Sequence, residues 1–184
     1  MTAFSAELIL NSGFETGTGS VPSSWTSTGD SAPNHRYNFA PSITGTYSGA
    51  LGGSTNSTNN VLSQTIPTVN GGSYQLQFKY GYVGTSGQKL NVSLSNATSI
   101  SPVLGDLVLP AYASPATYTG TFQATSSSVT LTFTDNVAGN SSIADADIAI
   151  DDVSLTGPSP AISAPIFNFN KPAEIFASEV EETK

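Results

Sequence analysis

Ile148 Ala149 Ile150 Asp151 Asp152 Val153 Ser154 Leu155 is the stretch around which the rest of the chain is arranged. Apolar residues alternate at 148 and 150 and resume at 153 and 155, so the inward face changes parity across the two aspartates. A side-chain period of two admits that change only where an extra residue is inserted, and the spacing therefore predicts a strand interrupted by a β-bulge. Adjacent carboxylates at a broken ladder invite either solvent or a hard cation, because ionised carboxylates are costly to bury unpaired. Another carboxylate, Glu15, stands far away in Asn11 Ser12 Gly13 Phe14 Glu15. The expectation is that the first and last strands meet and that a calcium ion pins them.

Working outward, the clearest alternation is Tyr74, Leu76, Phe78, Tyr80 and Tyr82 against Gln75, Gln77, Lys79 and Gly81, which predicts a strand with one buried face. Leu90, Val92 and Leu94 repeat it, as do Tyr118, Gly120 and Phe122, then Val129, Leu131 and Phe133. Ala6 to Leu10 reads as a short first strand and His35 to Phe39 as another, with Tyr37 and Phe39 on one face. Asn70 Gly71 Gly72 marks a turn, and Pro102 and Pro110 bracket an edge segment. About nine or ten strands spaced by turn signals, with no amphipathic helix before residue 158, predict an all-β antiparallel β-sandwich, most simply a jelly roll. Trp25 either closes one end of that sandwich or stacks on a sugar.

Residues 1–157 form the expected body and residues 158–184 an extended, Pro-rich apolar tail. Prolines at 158, 160, 165 and 172 keep the tail out of a central strand, while Ile162, Ile166, Phe167 and Phe169 are large and apolar. From Pro172 a short terminal helix would place Phe176 and Val180 on one side. Such a tail docks either on the body or on a neighbour.

Five Lys and Arg against 13 Asp and Glu give a net charge of −8, which disfavours nucleic acid as a partner. No run of apolar residues is long enough to insert in a membrane, no cysteine allows a disulfide, and no signal peptide is visible at Met1–Glu7. With one histidine and few acids, the chain is poor in groups that transfer protons or attack carbonyls, and no catalytic residue is expected. His35, next to Arg36, reads as a surface or turn residue; Asp135, Asp145 and Asp147, near one polar loop, read as solvated acids, with Asp145 and Asp147 alternatively supporting a second ion.

The order of Asn11–Glu15, Trp25, Tyr47 Ser48 Gly49 Ala50 Leu51, Leu62–Ile66, Gly72–Leu76 and Ile150–Leu155 resembles carbohydrate-binding modules of the family 4 and 9 type and their galactose-binding-like jelly-roll relatives. The resemblance covers roughly residues 7–156. It implies a structural Ca2+ held by Glu15, by Asp151 or Asp152, and by backbone carbonyls around Ser48 and Gly49. Sugar recognition needs aromatic platforms beside amide groups. Tyr37, Tyr47 and Tyr112 are candidate platforms, with Gln75, Gln77 and Lys79 as polar companions.

Two functions follow. One is a non-catalytic structural surface protein, such as a virion decoration or cement subunit or an appendage component. It would assemble through its tail into a homo-oligomer or onto a larger protein shell, at a virion or extracellular surface. The alternative is a carbohydrate-binding or adhesion module of a secreted or cell-surface protein, with a glycan as partner.

Overall fold

The computed structural model describes residues 5–30, 32–38, 43–52, 60–84, 89–111, 113–135 and 146–160. Two antiparallel sheets face each other. The first has the order β11(Ala116–Gln123), β8(Ser73–Gly84), β13(Ala146–Pro158), β6(Ser48–Leu51), β5(Arg36–Tyr37), and β1(Ser5–Glu7) lies beside the far half of β13. The second runs β10(Asp106–Val108), β9(Lys89–Ser95), β12(Ser128–Asp135), β7(Val61–Pro67), β4(Thr26–Thr28). A small hairpin, β2(Gly17–Thr18) with β3(Val21–Pro22), stands apart. Among the described residues there is no helix, and so none long and apolar enough to cross a membrane. The body is the expected all-β jelly roll.

Alternation made the core. Leu76, Phe78, Leu131, Phe133 and Val129 are fully buried while Gln75 and Gln77 face out, so each strand contributes one apolar face to the space between the sheets. Phe78 meets Phe133 edge-on at 5.1 Å between ring centres, a contact that joins the two sheets. Trp25 is buried against Phe14 and Phe133 and donates its indole N–H to the Asn11 carbonyl, so it closes the core. Phe14 occupies the space over Gly49, where an added Cβ would stand 2.8 Å from the ring, and only glycine lets β6 pass beneath it.

The bulge lies where the parity change predicts it. Asp151 pairs with Lys79 and Ser154 with Gln77, so Asp152 and Val153 together oppose one residue, and Asp152 has φ +48°. Ile148 and Ile150 before the bulge and Val153 and Leu155 after it are all fully buried.

Two expected strands are shorter. Only Ser5–Glu7 of the first joins the ladder, because the Glu7 carboxylate accepts the Ile9 and Leu155 amides and turns the chain. Leu10 then exchanges hydrogen bonds with the Gln64 amide on the second sheet. The strand expected over His35–Phe39 is reduced to Arg36–Tyr37, and Phe39 lies outside the described residues. β13 ends at Pro158, and all the tail residues singled out, Ile162, Ile166, Phe167, Phe169, Phe176 and Val180, fall outside the described residues, as does Tyr112.

Candidate functional site

The first and last segments meet at one corner. The Val153 amide, within the bulge, donates to the Ser12 carbonyl. The intervening turn carries Asn11 and Phe14 at positive φ, which directs the Phe14 ring inward and the Glu15 side chain toward the loop before β6. Oε1 of Glu15 accepts the amides of Thr46 (2.8 Å) and Tyr47 (3.2 Å). Asp151, fully buried, accepts the Thr44 amide (3.0 Å) and the Ser48 hydroxyl (3.1 Å) on Oδ2 and the Asp152 amide (2.8 Å) on Oδ1. Asp152 accepts the Thr44 hydroxyl and pairs with Lys79 at 2.8 Å. That pair is partly solvated, so it contributes at most about 1 kcal/mol.

Burial pushes the Asp151 carboxyl up to about 6, although the Asp152 and Thr44 amides and the Ser48 and Thr44 hydroxyls pull it back. The bond to Asp152 holds the Lys79 ammonium above its usual value. The hard oxygen donors present at this corner belong to Glu15, Ser48 and Asp151. A Cβ built on Gly13 would stand 3.6 Å from Asp151 Oδ1 and 3.8 Å from Glu15 Cγ, so both acids border one small space. Only Oε1 of Glu15 accepts hydrogen bonds among the described residues. No three Asp, Glu, His or Cys side chains cluster among the described residues, so carbonyls, hydroxyls and water would make up most of a six- to eight-oxygen shell. Ser48 contributes its hydroxyl to Asp151, and Gly49 sits inward under Phe14.

Arg36 organises the same corner, and the burial of its neighbour corrects the surface reading of His35. Arg36 is 5% exposed, donates to the carbonyls of Phe14 (2.6 Å), Gly19 (2.7 Å) and Glu15 (2.7 Å), and lies 3.3 Å over the Tyr47 ring. One face of Tyr47 is therefore occupied by the guanidinium. His35 is fully buried beside Asn60, and burial lowers its pKa. Asp135, read as a solvated loop acid, is instead the last residue of β12 and 3% exposed; burial raises it to about 6. Continuing the alternation of Val129, Leu131 and Phe133 by one step would have placed it inward.

The outer face of the first sheet carries the other candidate residues. Thr121, Gln75 and Thr156 form one cross-strand row, Thr119, Gln77 and Ser154 the next, and Thr117, Lys79 and Asp151 the third. Gln75 and Gln77 are exposed, and Gln77 donates to the Thr119 hydroxyl at 3.3 Å. Tyr37, 57% exposed, stands on β5 at the far edge of the sheet, opposite Ser48. At the lower end the face opens into a hollow of about 480 Å³ lined by Ser73, Gln75, Thr121 and Thr156 over Tyr74 and Pro158. The hollow carried no distinctive sequence signal, because strand alternation marks Tyr74 only as a core residue.

Among solved structures, the chain is similar to a family 61 carbohydrate-binding module in complex with β-1,4-galactotriose. The TM-score is 0.60 at 18% identity, covering 82% of this chain and 97% of that one. It is also similar to a tandem of family 22 modules from Paenibacillus barcinonensis Xyn10C (TM-score 0.52, 15% identity, 89% of this chain and 49% of that one). A third likeness is to the enzymatically active domain of tailspike protein 4 of bacteriophage CBA120 (TM-score 0.56, 16% identity, 82% of this chain), of which the chain spans 21%. No family model and no curated protein sequence matches the chain. The fold is thus that of the carbohydrate-binding modules, without selecting the family 4 and 9 type.

A carboxyl raised above its unfolded value binds more protons in the native state, so its contribution to stability falls as pH rises from the unfolded value of 3.8 to about 6. In chelator, urea unfolding between pH 4.5 and 7.5 should give a stability that decreases with pH. Asp151→Asn should remove about 2 kcal/mol of that decrease, leaving the share of Asp135 and the opposing share of His35, whose lowered pKa makes stability rise with pH; an unchanged slope in the variant contradicts the assignment.

Proposed function

We propose that the protein is a non-catalytic glycan-binding module whose ligand lies along the outer face of β11, β8 and β13. The observation that carries this reading is chemical: three successive rows of that face present Gln75, Gln77, Thr117, Thr119, Thr121, Ser154 and Thr156, ending in the hollow over Tyr74 and Pro158. Neutral sugars are recognised by hydroxyl and amide hydrogen bonds combined with apolar contact. The fold shared with the galactotriose-bound module supports the same reading. A face of this kind suits a neutral polysaccharide at an extracellular or virion surface, with Gln75 and Gln77 as the selecting groups and Lys79 and Tyr37 at the margins.

A second reading, a structural subunit of a virion surface, is favoured by the likeness to part of the phage tailspike. In that setting the tail segment from 158 would join the module to a copy of itself or to a shell.

We further propose that the corner of Glu15, Ser48 and Asp151 takes Ca2+, with Asp152 beside it and carbonyls around Ser48 and Gly49 completing the shell. Its role is to hold the turn at 11–15 against the bulge; it takes no part in chemistry on a ligand.

The binding reading is tested by calorimetry and affinity electrophoresis against β-1,4-galactan and xylan. Retention by one of them is expected, and Gln77→Ala should weaken binding about 5–10-fold without altering the unfolding curve. A monomeric chain that binds no neutral polysaccharide overturns it. Self-association by the full chain, absent from a version ending at Gly157, would favour the structural reading instead. For the corner, chelator should lower the melting temperature of the wild type by several degrees and that of Glu15→Gln by clearly less; equal shifts rule Glu15 out as a ligand.

A further inference from the structure

The outer face of the first sheet does not stop at β11. Residues 97–101 run antiparallel beside that strand: Ser101 and Thr121 exchange both amide–carbonyl hydrogen bonds at 3.0 Å, the Thr98 amide donates to the Gln123 carbonyl at 2.9 Å, and Ala97 lies opposite Ala124. Ile100 turns inward and is 8% exposed, so Ser99 and Ser101 on either side of it share the outer face, where both are exposed. One cross-strand row therefore reads Ser101, Thr121, Gln75, Thr156 and Glu7, the last contributed by β1.

A second hollow lies beside the one over Tyr74 and Pro158. It holds about 440 Å³ and is lined by Ser73, Thr98, Ser99, Thr121, Phe122 and Gln123. Ser73 and Thr121 also line the first hollow, so the two are halves of one trough parted by that pair. The trough crosses the strands, from residues 98 and 99 over β11 and β8 to β13. At roughly 4.8 Å between neighbouring strands, these four segments span about 14 Å, the length of about three linked pyranose rings, and β1 extends the row to about four.

The hydrogen bonds on this face follow the same division. The side chains of Ser73, Gln75, Ser99, Thr121, Gln123 and Thr156 make no hydrogen bond among the described residues. In the next row up Gln77 donates to Thr119 and Ser154 donates to Glu7, and beyond them Lys79 pairs with Asp152. No charged side chain lines either hollow. Glu7, the one charge of the crossing row, is held by the Ile9 and Leu155 amides and the Ser154 hydroxyl. Open hydroxyls and amides in an uncharged trough match the hydroxyls of a neutral sugar chain.

We propose, resting on the glycan-binding reading above, that the ligand crosses the strands along this trough, so that the site takes about three to four consecutive units of a linear neutral polysaccharide and Ser99 and Gln123 form its outermost subsite beyond the β11 edge. A disaccharide occupies only the half over Tyr74 and Pro158, and a longer chain passes the Ser73 and Thr121 pair to reach the second half.

The test is calorimetry on the full chain with β-1,4-galacto-oligosaccharides and xylo-oligosaccharides of two to six units. In the series that binds, affinity should rise about tenfold from the disaccharide to the tetrasaccharide and then level off. Ser99→Ala and Gln123→Ala, at exposed side chains without hydrogen bonds of their own, should weaken the tetrasaccharide about fivefold and leave the disaccharide unchanged, while Thr117→Ala, further up β11, alters neither. A disaccharide as tightly bound as the tetrasaccharide, or a tetrasaccharide sensitive to Thr117→Ala and indifferent to Gln123→Ala, overturns the crossing path and leaves the sheet face as the site. Failure of every oligosaccharide and of both parent polysaccharides to bind overturns the glycan-binding reading, and the path with it.

Discussion

A buried carboxylate at a strand bulge is the constraint on which this structure turns. Asp151 has no exposed surface, yet it is surrounded by donors from three separate places: Thr44 and Ser48 around the entry to β6, and the backbone of Asp152 in its own bulge. Those bonds require the loop before β6 to fold over the outer face of the first sheet, and the bulge lets the neighbouring Asp152 reach Lys79 and Thr44 at the same time. Removing one donor would leave a charge in a low-dielectric site, a defect that costs more than the lost bond itself.

The arginine beneath this corner performs the complementary task. Arg36 places five donors in a rigid fork, and three of them meet carbonyls of the turn that runs from Phe14 to Gly19. Backbone oxygens, not carboxylates, neutralise much of its charge, which suits a turn whose carbonyls converge because Phe14 and Gly19 have positive φ. The same turn carries Phe14 into the core against Trp25, so the polar corner and the apolar core are fixed by one segment of chain.

Much of the fold was legible in the sequence because strand burial obeys a period of two. The alternation in β8 and β12 and the parity change at Asp151 and Asp152 translate directly into the observed faces and bulge. Arg36 and His35 were not legible for a physical reason: their partners are carbonyls and an amide at residues 14, 15, 19 and 60, which only the folded turns bring together. Thr44 has the same character, since nothing in its local sequence points to residues 151 and 152. Asp135 is different, because the alternation extends to it, and chemical type overruled periodicity in its reading. The ligand face divided in a similar way: Gln75 and Gln77 follow from strand parity, whereas the engagement of Tyr47 by Arg36 and of Lys79 by Asp152 depends on tertiary contacts.

Native-state hydrogen exchange at the Thr44, Tyr47 and Val153 amides probes the joining of the two ends of the body most directly, because each donates across a long sequence separation to Asp151, Glu15 or Ser12. If the corner closes the sandwich, these amides exchange with opening free energies close to those of the β8 and β12 core. Exchange at the rate of exposed loop amides, with β8 and β12 still protected, would mean that the ends of the chain are merely adjacent and that the buried carboxylate holds nothing together.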